Sequence, residues 1–271
     1  MVELSGVSFG YQSDKNVLDN LNLRMEEGRF YGLLGMNGSG KTTLLKLIAG
    51  KLFAHGGEIY VDGRNLRERD VETLQKVFML PADFIFPNMS LEQFLAIYSE
   101  FYPEFRKEVL NDCLVNFEIQ RDIKNLNQLS LGEKHKVAFS IALSLGTKIV
   151  LLDEAANGMD IPARKMFRKL LMKHVREDQI VVLSTHIVQD IENLLTDVIV
   201  LRKDAPVYAA SLEEIASRYS FGIQSNEEGV LYAEACTEGY HVVTHKQENM
   251  DTEVSLEPVS YTHLRAHETR S

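Results

Sequence analysis

The sequence predicts an α/β fold with a mostly parallel central sheet, an antiparallel β subdomain at the N-terminus and an inserted helical subdomain. Three observations support this prediction. Short β-branched apolar runs alternate with helical patterns in the second half of the chain, as in parallel sheets that are buried on both faces. Alternating apolar residues open the chain, which indicates antiparallel strands. A long helical pattern separates the two sets of core strands.

The predicted strands are short, and turn residues separate them. Pro81 ends one strand and Gly63 follows another. In chain order, the predicted strands are Val2–Phe9, Leu21–Met25, Phe30–Leu34, Glu58–Asp62, Val77–Leu80, Ile149–Leu152, Ile180–Leu183 and Asp197–Leu201.

The predicted helices lie between these strands and begin or end at typical capping residues. They are Thr42–Ala49, a group of amphipathic helices with aromatic faces between Ser90 and about Gln128, a helix that Ser130 caps and that runs through Leu145, and Ala163–Val175. The patterns divide the chain into a main domain at 1–215, with its helical subdomain at about 84–145, and a small α+β appendage at 216–258.

The last residues, 259–271, do not continue these patterns. The run VSYTHLRAHET resembles the translation of a transposase adapter that is used to prepare sequencing libraries. We therefore expect a non-native tail at 259–271, and we assign no function to it.

Composition and charge exclude several classes of protein. The 271 residues are 45% hydrophobic and 25% charged, as in ordinary globular domains, and the formal net charge of −10 argues against nucleic acid as a partner. No apolar run is long enough to span a bilayer, and the N-terminus lacks a secretory signal. Cys113 and Cys236 do not have the spacing of metal ligands. We expect a cytoplasmic protein that reaches a membrane only through a partner.

A glycine-rich motif lies between a predicted strand and a predicted helix. The segment GMNGSGKT, which ends at Thr42, matches the phosphate-binding P-loop. Backbone N–H groups of such a loop point at the phosphates, and the helix N-terminus adds positive charge. We expect Lys41 to reach the β- and γ-phosphates and Thr42 to bind Mg²⁺, so the fold is predicted to be a P-loop NTPase. The candidate nucleotide-binding residues here are Gly35, Asn37, Gly38, Ser39, Gly40, Lys41, Thr42 and Thr43.

A second motif ends a buried strand with two carboxylates, Asp153 and Glu154. A carboxylate at the end of a strand beside a phosphate loop can hold Mg²⁺ or its water shell, which suits Asp153. Successive strand residues point to opposite faces, so Glu154 is placed to polarise an attacking water as a general base.

These motifs resemble those of the ATP-binding cassette (ABC) ATPases over about residues 1–215. Between them, the segment LSLGE resembles the family signature LSGGQ. The resemblance implies that Ser130, Gly132 and Glu133 contact the γ-phosphate of ATP held by a second subunit. Ser130 opens a predicted helix, and helix N-termini favour phosphate groups. ATP and Mg²⁺ are the implied cofactors.

Three further positions resemble family elements. Tyr11 resembles the aromatic residue that stacks on adenine, although it is also an ordinary residue for a strand end. Asp160 resembles a residue of the loop that links the two nucleotide sites across a dimer. His186 resembles the switch histidine that contacts the γ-phosphate, and the resemblance implies that it acts with Glu154 in hydrolysis.

The sequence also departs from the family. The loop after Pro81 normally carries a Gln that touches Mg²⁺, and this chain has Ala82 and then Asp83. Either water completes the metal shell or Asp83 substitutes for the Gln. The signature has Leu131 in place of its first Gly, and Ala155 stands where the family has Pro.

The resemblance implies an ATP-binding and ATP-hydrolysing subunit of an ABC transporter that pairs with an identical or different ATPase subunit. Hydrolysis would energise export through a separately encoded membrane permease, which would contact the helical insert and the loop near Ala82–Pro87. The subunit would then lie in the cytoplasm at the inner face of the cell membrane. The alternatives are a soluble ABC ATPase that acts in cofactor assembly or regulation without transport, and a degenerate cassette that binds ATP without turnover.

Overall fold

The computed structural model describes residues 1–12, 15–185, 191–203, 206–227 and 229–246, together with residues 254 and 256. Across this part of the chain, no helix combines the length and the hydropathy that a bilayer span requires. The strands are β1 (Val2–Phe9), β2 (Leu18–Met25), β3 (Phe30–Leu34), β4 (Gly56–Val61), β5 (Arg64–Asn65), β6 (Val77–Leu80), β7 (Ile149–Asp153), β8 (Ile180–Ser184), β9 (Asp197–Val200), β10 (Tyr208–Ser211), β11 (Tyr219–Gln224), β12 (Tyr232–Cys236) and β13 (Gly239–His245). The helices are α1 (Lys41–Ile48), α2 (Val71–Gln75), α3 (Leu91–Tyr98), α4 (Lys107–Asn116), α5 (Leu131–Ser144), α6 (Ile161–His174) and α7 (Leu212–Arg218).

The first sheet is antiparallel and has the strand order β2-β1-β4-β5. Alternate residues of β1 are buried because one face of the sheet covers a hydrophobic core. Gly6 and Gly57 face each other where the register between β1 and β4 shifts, and both have positive φ. A Cβ at Gly57 would lie 2.4 Å from the carbonyl oxygen of Gly6, so the two strands approach this closely only with glycine.

The second sheet is the predicted mostly parallel core, with the order β10-β9-β3-β8-β7-β6. Strand β10 pairs antiparallel with β9, and the other neighbouring strands are parallel. All residues of β7 and β8 are buried because both faces of the sheet are covered. One face packs on α1 and the antiparallel sheet, and the other packs on α5 and α6. The predicted fold class is confirmed.

The inserted helical region contains α3, α4 and the start of α5. Helix α3 begins at Ser90 with a capping box, in which the backbone N–H of Ser90 donates to Gln93 Oε1 and the N–H of Gln93 donates to Ser90 Oγ. Phe94 is buried and stacks on Tyr98, with ring centroids 4.1 Å apart. The aromatic face predicted for this region therefore forms part of its core, while Phe101 is exposed.

The third sheet is antiparallel, has the order β11-β13-β12 and follows α7. Phe221 and Val243 belong to the hydrophobic core that also contains residues of α5 and α6. The predicted boundary after residue 215 falls inside α7 (Leu212–Arg218), and the division into a main domain and an appendage stays a prediction. The predicted tail at 259–271 lies outside the described residues.

A cluster of ion pairs joins the antiparallel sheet to the edge of the parallel sheet. Asp62, in the turn after β4, accepts hydrogen bonds from the amine of Met1 at 2.8 Å, from Lys76 at 2.9 Å and from Lys148 at 3.1 Å. Lys76 immediately precedes β6, and Lys148 immediately precedes β7. Burial by itself raises the pKa of Asp62, but these three cations hold it well below its usual value.

Candidate nucleotide-binding site

The loop between β3 and α1 has a backbone conformation that glycine adopts readily. Gly35, Gly38 and Gly40 have φ angles of 144°, 80° and 102°. A Cβ at Gly35 would lie 2.3 Å from the carbonyl oxygen of Leu201, so no side chain fits at that position. Ser39 is buried within the loop. The loop therefore curls tightly over the end of the central sheet before it enters α1.

Lys41 is the first residue of α1 and is only 8% exposed. Its ammonium group donates to the carbonyl oxygens of Gly35 at 2.7 Å and Met36 at 3.2 Å. Burial lowers the pKa of Lys41, and the negative charges of Glu154 and Asp153 oppose that shift. The predicted phosphate-binding lysine and the two predicted acids therefore lie at one site.

Thr42 and Asp153, which are the two predicted metal ligands, are in direct contact. Thr42 Oγ1 donates to Asp153 Oδ2 at 2.7 Å, and Asp153 is 1% exposed. Asp153 Oδ1 is buried and has no hydrogen-bond partner among the described residues. Hydroxyl and carboxylate oxygens suit Mg²⁺, which is usually held by one or two carboxylates together with phosphates and water. This donor set fits Mg²⁺. Within the described ranges, no three His, Cys, Asp or Glu side chains are grouped so that they could hold a metal ion by themselves.

Glu154 follows β7 and has a left-handed backbone conformation, with φ at 50°. A residue other than glycine is strained in this region and persists where surrounding contacts hold it. The N–H of Glu154 donates to the carbonyl oxygen of Ser184 at 2.9 Å, and its own carbonyl accepts from the N–H of Asn157 at 2.9 Å. These two bonds hold Glu154 in the turn that follows β7 and anchor that turn to the end of β8.

Tyr11 lies at the edge of the loop and is 61% exposed. Its hydroxyl is 3.2 Å from Oγ1 of Thr43, which is buried in α1, and its ring meets Phe9 edge-on with centroids 5.1 Å apart. An open groove of about 1340 Å³ adjoins Tyr11, and Asn37 and Gly38 also line it. The exposed ring is therefore available for stacking on a base beside the loop.

The segment that resembles the family signature forms the N-terminus of α5. The N–H and Oγ of Ser130 donate to Glu133 Oε2 at 2.9 Å and 2.7 Å, and these bonds lower the pKa of Glu133. A Cβ at Gly132 would lie 3.3 Å from the carbonyl oxygen of Gly158, so this helix end packs against the loop before α6. Leu131 is 65% exposed. Glu133 is thus engaged in capping its own helix.

The structure describes some of the remaining predicted site residues and not others. Asp160 is exposed and caps α6, where its carboxylate accepts from the N–H of Ala163 at 2.8 Å. Asp83 is exposed in the loop after β6, and Ala82 beside it is partly buried. His186 lies outside the described residues, and its role stays a prediction.

Two buried polar residues of this region were not predicted from the sequence. Ser184 ends β8 and pairs in register with Asp153. His135, in α5, is 5% exposed, bonds to the backbone of Ala155 and has its ring centroid 5.1 Å from that of Phe84. A polar residue at the end of an apolar strand is the sequence signal for Ser184, and a histidine on the apolar face of a helix is the signal for His135.

Comparison with known proteins identifies the family. Residues 18–157, more than half of the chain, match the family described as ABC transporter. The chain belongs to this family. It is an ATP-binding subunit of an ABC transporter and an ATPase, as the sequence predicts.

Bacterial relatives support this assignment. The ABC transporter ATP-binding protein NatA of Bacillus subtilis is 30% identical over 225 residues, which cover 79% of this chain and 91% of the relative. The bacitracin transport ATP-binding protein BcrA of Bacillus licheniformis is 30% identical over 191 residues, which cover 69% of this chain and 62% of the relative.

Solved structures of ABC cassettes share the fold. A dimeric post-hydrolysis state of the ATP-binding cassette MJ0796, bound to ADP and Pi, has a TM-score of 0.67 and 26% identity, and the match covers 78% of this chain and 99% of that one. The ATP-binding subunit of another ABC transporter has a TM-score of 0.71 at 24% identity, covers 79% of this chain and 91% of its own, and shows likeness of fold alone.

Proposed function

We propose that this ABC ATPase hydrolyses MgATP within a dimer and thereby energises export through a separately encoded membrane permease. The observation that carries the proposal is the contact between Thr42 and Asp153 beside the buried Lys41. It unites a phosphate-binding cation with a hydroxyl and a carboxylate that suit Mg²⁺.

Each residue of the site has a proposed role. The glycines of the loop and the N-terminus of α1 bind the phosphates, and Lys41 contacts the β- and γ-phosphates. Thr42 and Asp153 hold Mg²⁺, which neutralises charge on the phosphates when it is bound. Glu154 orients and deprotonates the attacking water, and Tyr11 stacks on adenine. His186 contacts the γ-phosphate.

ABC ATPases act as dimers, and the MJ0796 cassette was solved as one. We infer that a second subunit completes the site of this chain with Ser130 and Gly132. The exposure of Leu131 and Asp160 supports this inference, because both residues are accessible to a partner subunit. Glu133 would act mainly by capping α5, which keeps the helix N-terminus directed at the phosphate.

The loop after β6 is the proposed contact for the permease. Ile85 in this loop is 89% exposed, and a shallow apolar groove of about 300 Å³ beside it is lined by Phe84, Pro81 and Tyr98. Exposed apolar surface of this kind suits a protein partner. Docking on a permease would place the chain at the inner face of the cell membrane. The likeness to the bacitracin transport protein BcrA supports export as the direction.

Turnover and dimer formation test the catalytic part of the proposal. Glu154→Gln is expected to lower the rate of ATP hydrolysis at least about 100-fold while ATP still binds, because a general base contributes about that much. The variant should also accumulate as an ATP-bound dimer, measured by light scattering on a sizing column. Glu118→Gln is the matched control, since Glu118 is exposed and shares the left-handed backbone, with φ at 58°. Turnover that survives in Glu154→Gln would contradict the assignment.

Membrane recruitment tests the transport part. The tagged chain, expressed in a cell that carries its permease, should sediment with the membrane fraction. Ile85→Asp is expected to release it, whereas Ile223→Asp, at a 47% exposed position in the third sheet, should not. A chain that stays in the soluble fraction in a stable complex with another soluble protein would instead favour assembly or regulation without transport.

A further inference from the structure

Ser184 occupies the central strand of the sheet at the edge where the site lies. In the parallel register it pairs with Asp153 on β7 and with Leu33 on β3. Paired residues of neighbouring strands point to the same face, about 4.8 Å apart. Leu33 shares its hydrophobic core with Leu44 and Leu45 of α1. The side chains of Leu33, Ser184 and Asp153 therefore form a row that faces the helix of Lys41 and Thr42.

Two buried polar atoms of this row have no hydrogen-bond partner among the described residues. Ser184 is 3% exposed, and its Oγ forms no hydrogen bond in the part of the chain that the structure describes. The same holds for Oδ1 of Asp153, whose other oxygen accepts from Thr42. Buried polar groups are nearly always hydrogen-bonded, so two unpaired atoms on neighbouring strands call for a polar ligand between them and the loop.

We propose that Ser184 is a positioning residue of the Mg²⁺ site, where its hydroxyl accepts a hydrogen bond from a water molecule of the metal shell. The inference rests on the proposed function, since it concerns the same MgATP. Mg²⁺ keeps several waters when it binds to proteins, and each metal-bound water needs acceptors for its two protons. Ser184 Oγ and Asp153 Oδ1 are two such acceptors, and both are buried and without a hydrogen-bond partner among the residues that the structure describes.

The position of Ser184 also bears on a departure from the family. The Gln that the resemblance places after β6 is Ala82 here, whose methyl side chain offers no hydrogen bond to a metal-bound water. Asp83 is exposed. The hydroxyl of Ser184 is on β8, one of the two middle strands of the sheet, and it supplies an acceptor on the face that packs against α1. Residues that hydrogen-bond to the direct ligands of a metal typically lower the metal affinity about 10- to 100-fold when they are mutated.

The matched test compares two serines. Ser184→Ala removes the proposed acceptor, and Ser184→Cys keeps nearly the same size but has a weaker hydrogen-bonding thiol. Ser220→Ala is the control, because Ser220 is also 3% exposed, with an Oγ that has no partner in the described residues, and it lies in the third sheet. Mn²⁺ serves as the probe, and its binding is followed by electron paramagnetic resonance with a non-hydrolysable ATP analogue present.

Both Ser184 variants are expected to weaken Mn²⁺ binding about 10-fold, while Ser220→Ala leaves it unchanged. Affinity for the analogue in EDTA should be the same in all four proteins. Unchanged Mn²⁺ affinity in the Ser184 variants would overturn the inference, and so would an equal loss of metal-free analogue affinity. A lower Tm with unchanged Mn²⁺ binding would show that Ser184 contributes to stability alone and would also overturn the inference. Wild-type protein that binds no Mn²⁺ with the analogue would contradict the proposed function itself.

Discussion

Thr42 Oγ1 and Asp153 Oδ2 lie 2.7 Å apart, although one residue belongs to the first helix and the other ends a strand far along the chain. The parallel sheet produces this contact. Strand β3 leads into α1 through the glycine loop, and β7 ends at the same edge of the sheet, separated from β3 only by β8. The carboxyl ends of parallel strands thus bring the phosphate loop and the acidic residues together.

Removal of the Asp153 charge should lower the ATPase activity without lowering the thermal stability. Asp153→Asn is expected to lower kcat for ATP hydrolysis at least about 100-fold, because a bound metal contributes several kcal/mol to the transition state. Its Tm should be unchanged or higher, since the substitution takes a charge out of a buried site. Steady-state kinetics and thermal unfolding measure the two effects. Asp178→Asn, at an exposed position, is the control. Retained kcat would remove Asp153 from the metal site.

His135 should make stability depend on pH. Burial lowers the pKa of His135, and a bond to the backbone of Ala155 opposes the shift. The unfolded chain therefore binds the proton more readily, so the stability that neutral His135 provides is present above its unfolded pKa of about 6.5 and is lost as the pH falls below it. His135→Gln should reduce the slope of the unfolding free energy between about pH 7 and 5 by at most about 1.4 kcal/mol per pH unit. Urea unfolding at several pH values checks this, and equal slopes for both proteins would contradict it.

Asp62 should stabilise the junction of the two sheets. Its partners Lys76 and Lys148 hold its pKa below the usual value, so its contribution is present above the unfolded pKa of about 3.9 and is lost as the pH falls toward the folded pKa. Asp62→Asn is expected to lower the free energy of unfolding by about 1–3 kcal/mol at pH 7, as for other charged hydrogen bonds. The difference from wild type should shrink below about pH 4. A difference that is independent of pH would show that the ion pairs do not cause it.

The sequence predicts the core of the fold well because its signals there are local. Strand β3 and the helix after the P-loop are found nearly to the residue, since the motif itself requires a strand before it and a helix after it. Strand β2 is predicted from Leu21 but begins at Leu18, because the polar Asn20, with φ at 46°, interrupts the alternation. Strand β4 begins at Gly56, before its predicted start, since glycine gives no strand signal.

The sequence predicts residues of the site only where they belong to a recognisable motif. The contact of Thr42 with Asp153 follows from two motifs and the edge that parallel strands share. The pairing of Ser184 with Asp153 depends on the register between β7 and β8, which no local pattern specifies. The burial of His135 depends on the loop that carries Phe84, and that loop is distant in sequence.

The most direct measurement is the affinity for ATP by titration calorimetry, with and without Mg²⁺. Wild-type protein should bind MgATP, and Lys41→Ala should bind at least about 10-fold more weakly, because it loses charged hydrogen bonds to the phosphates. Lys51→Ala is the control, since burial also lowers the pKa of Lys51. If Lys41→Ala binds MgATP as tightly as wild type, the phosphate site does not lie at Lys41, and if Mg²⁺ leaves the wild-type affinity for ATP unchanged, the metal site does not lie at Thr42 and Asp153.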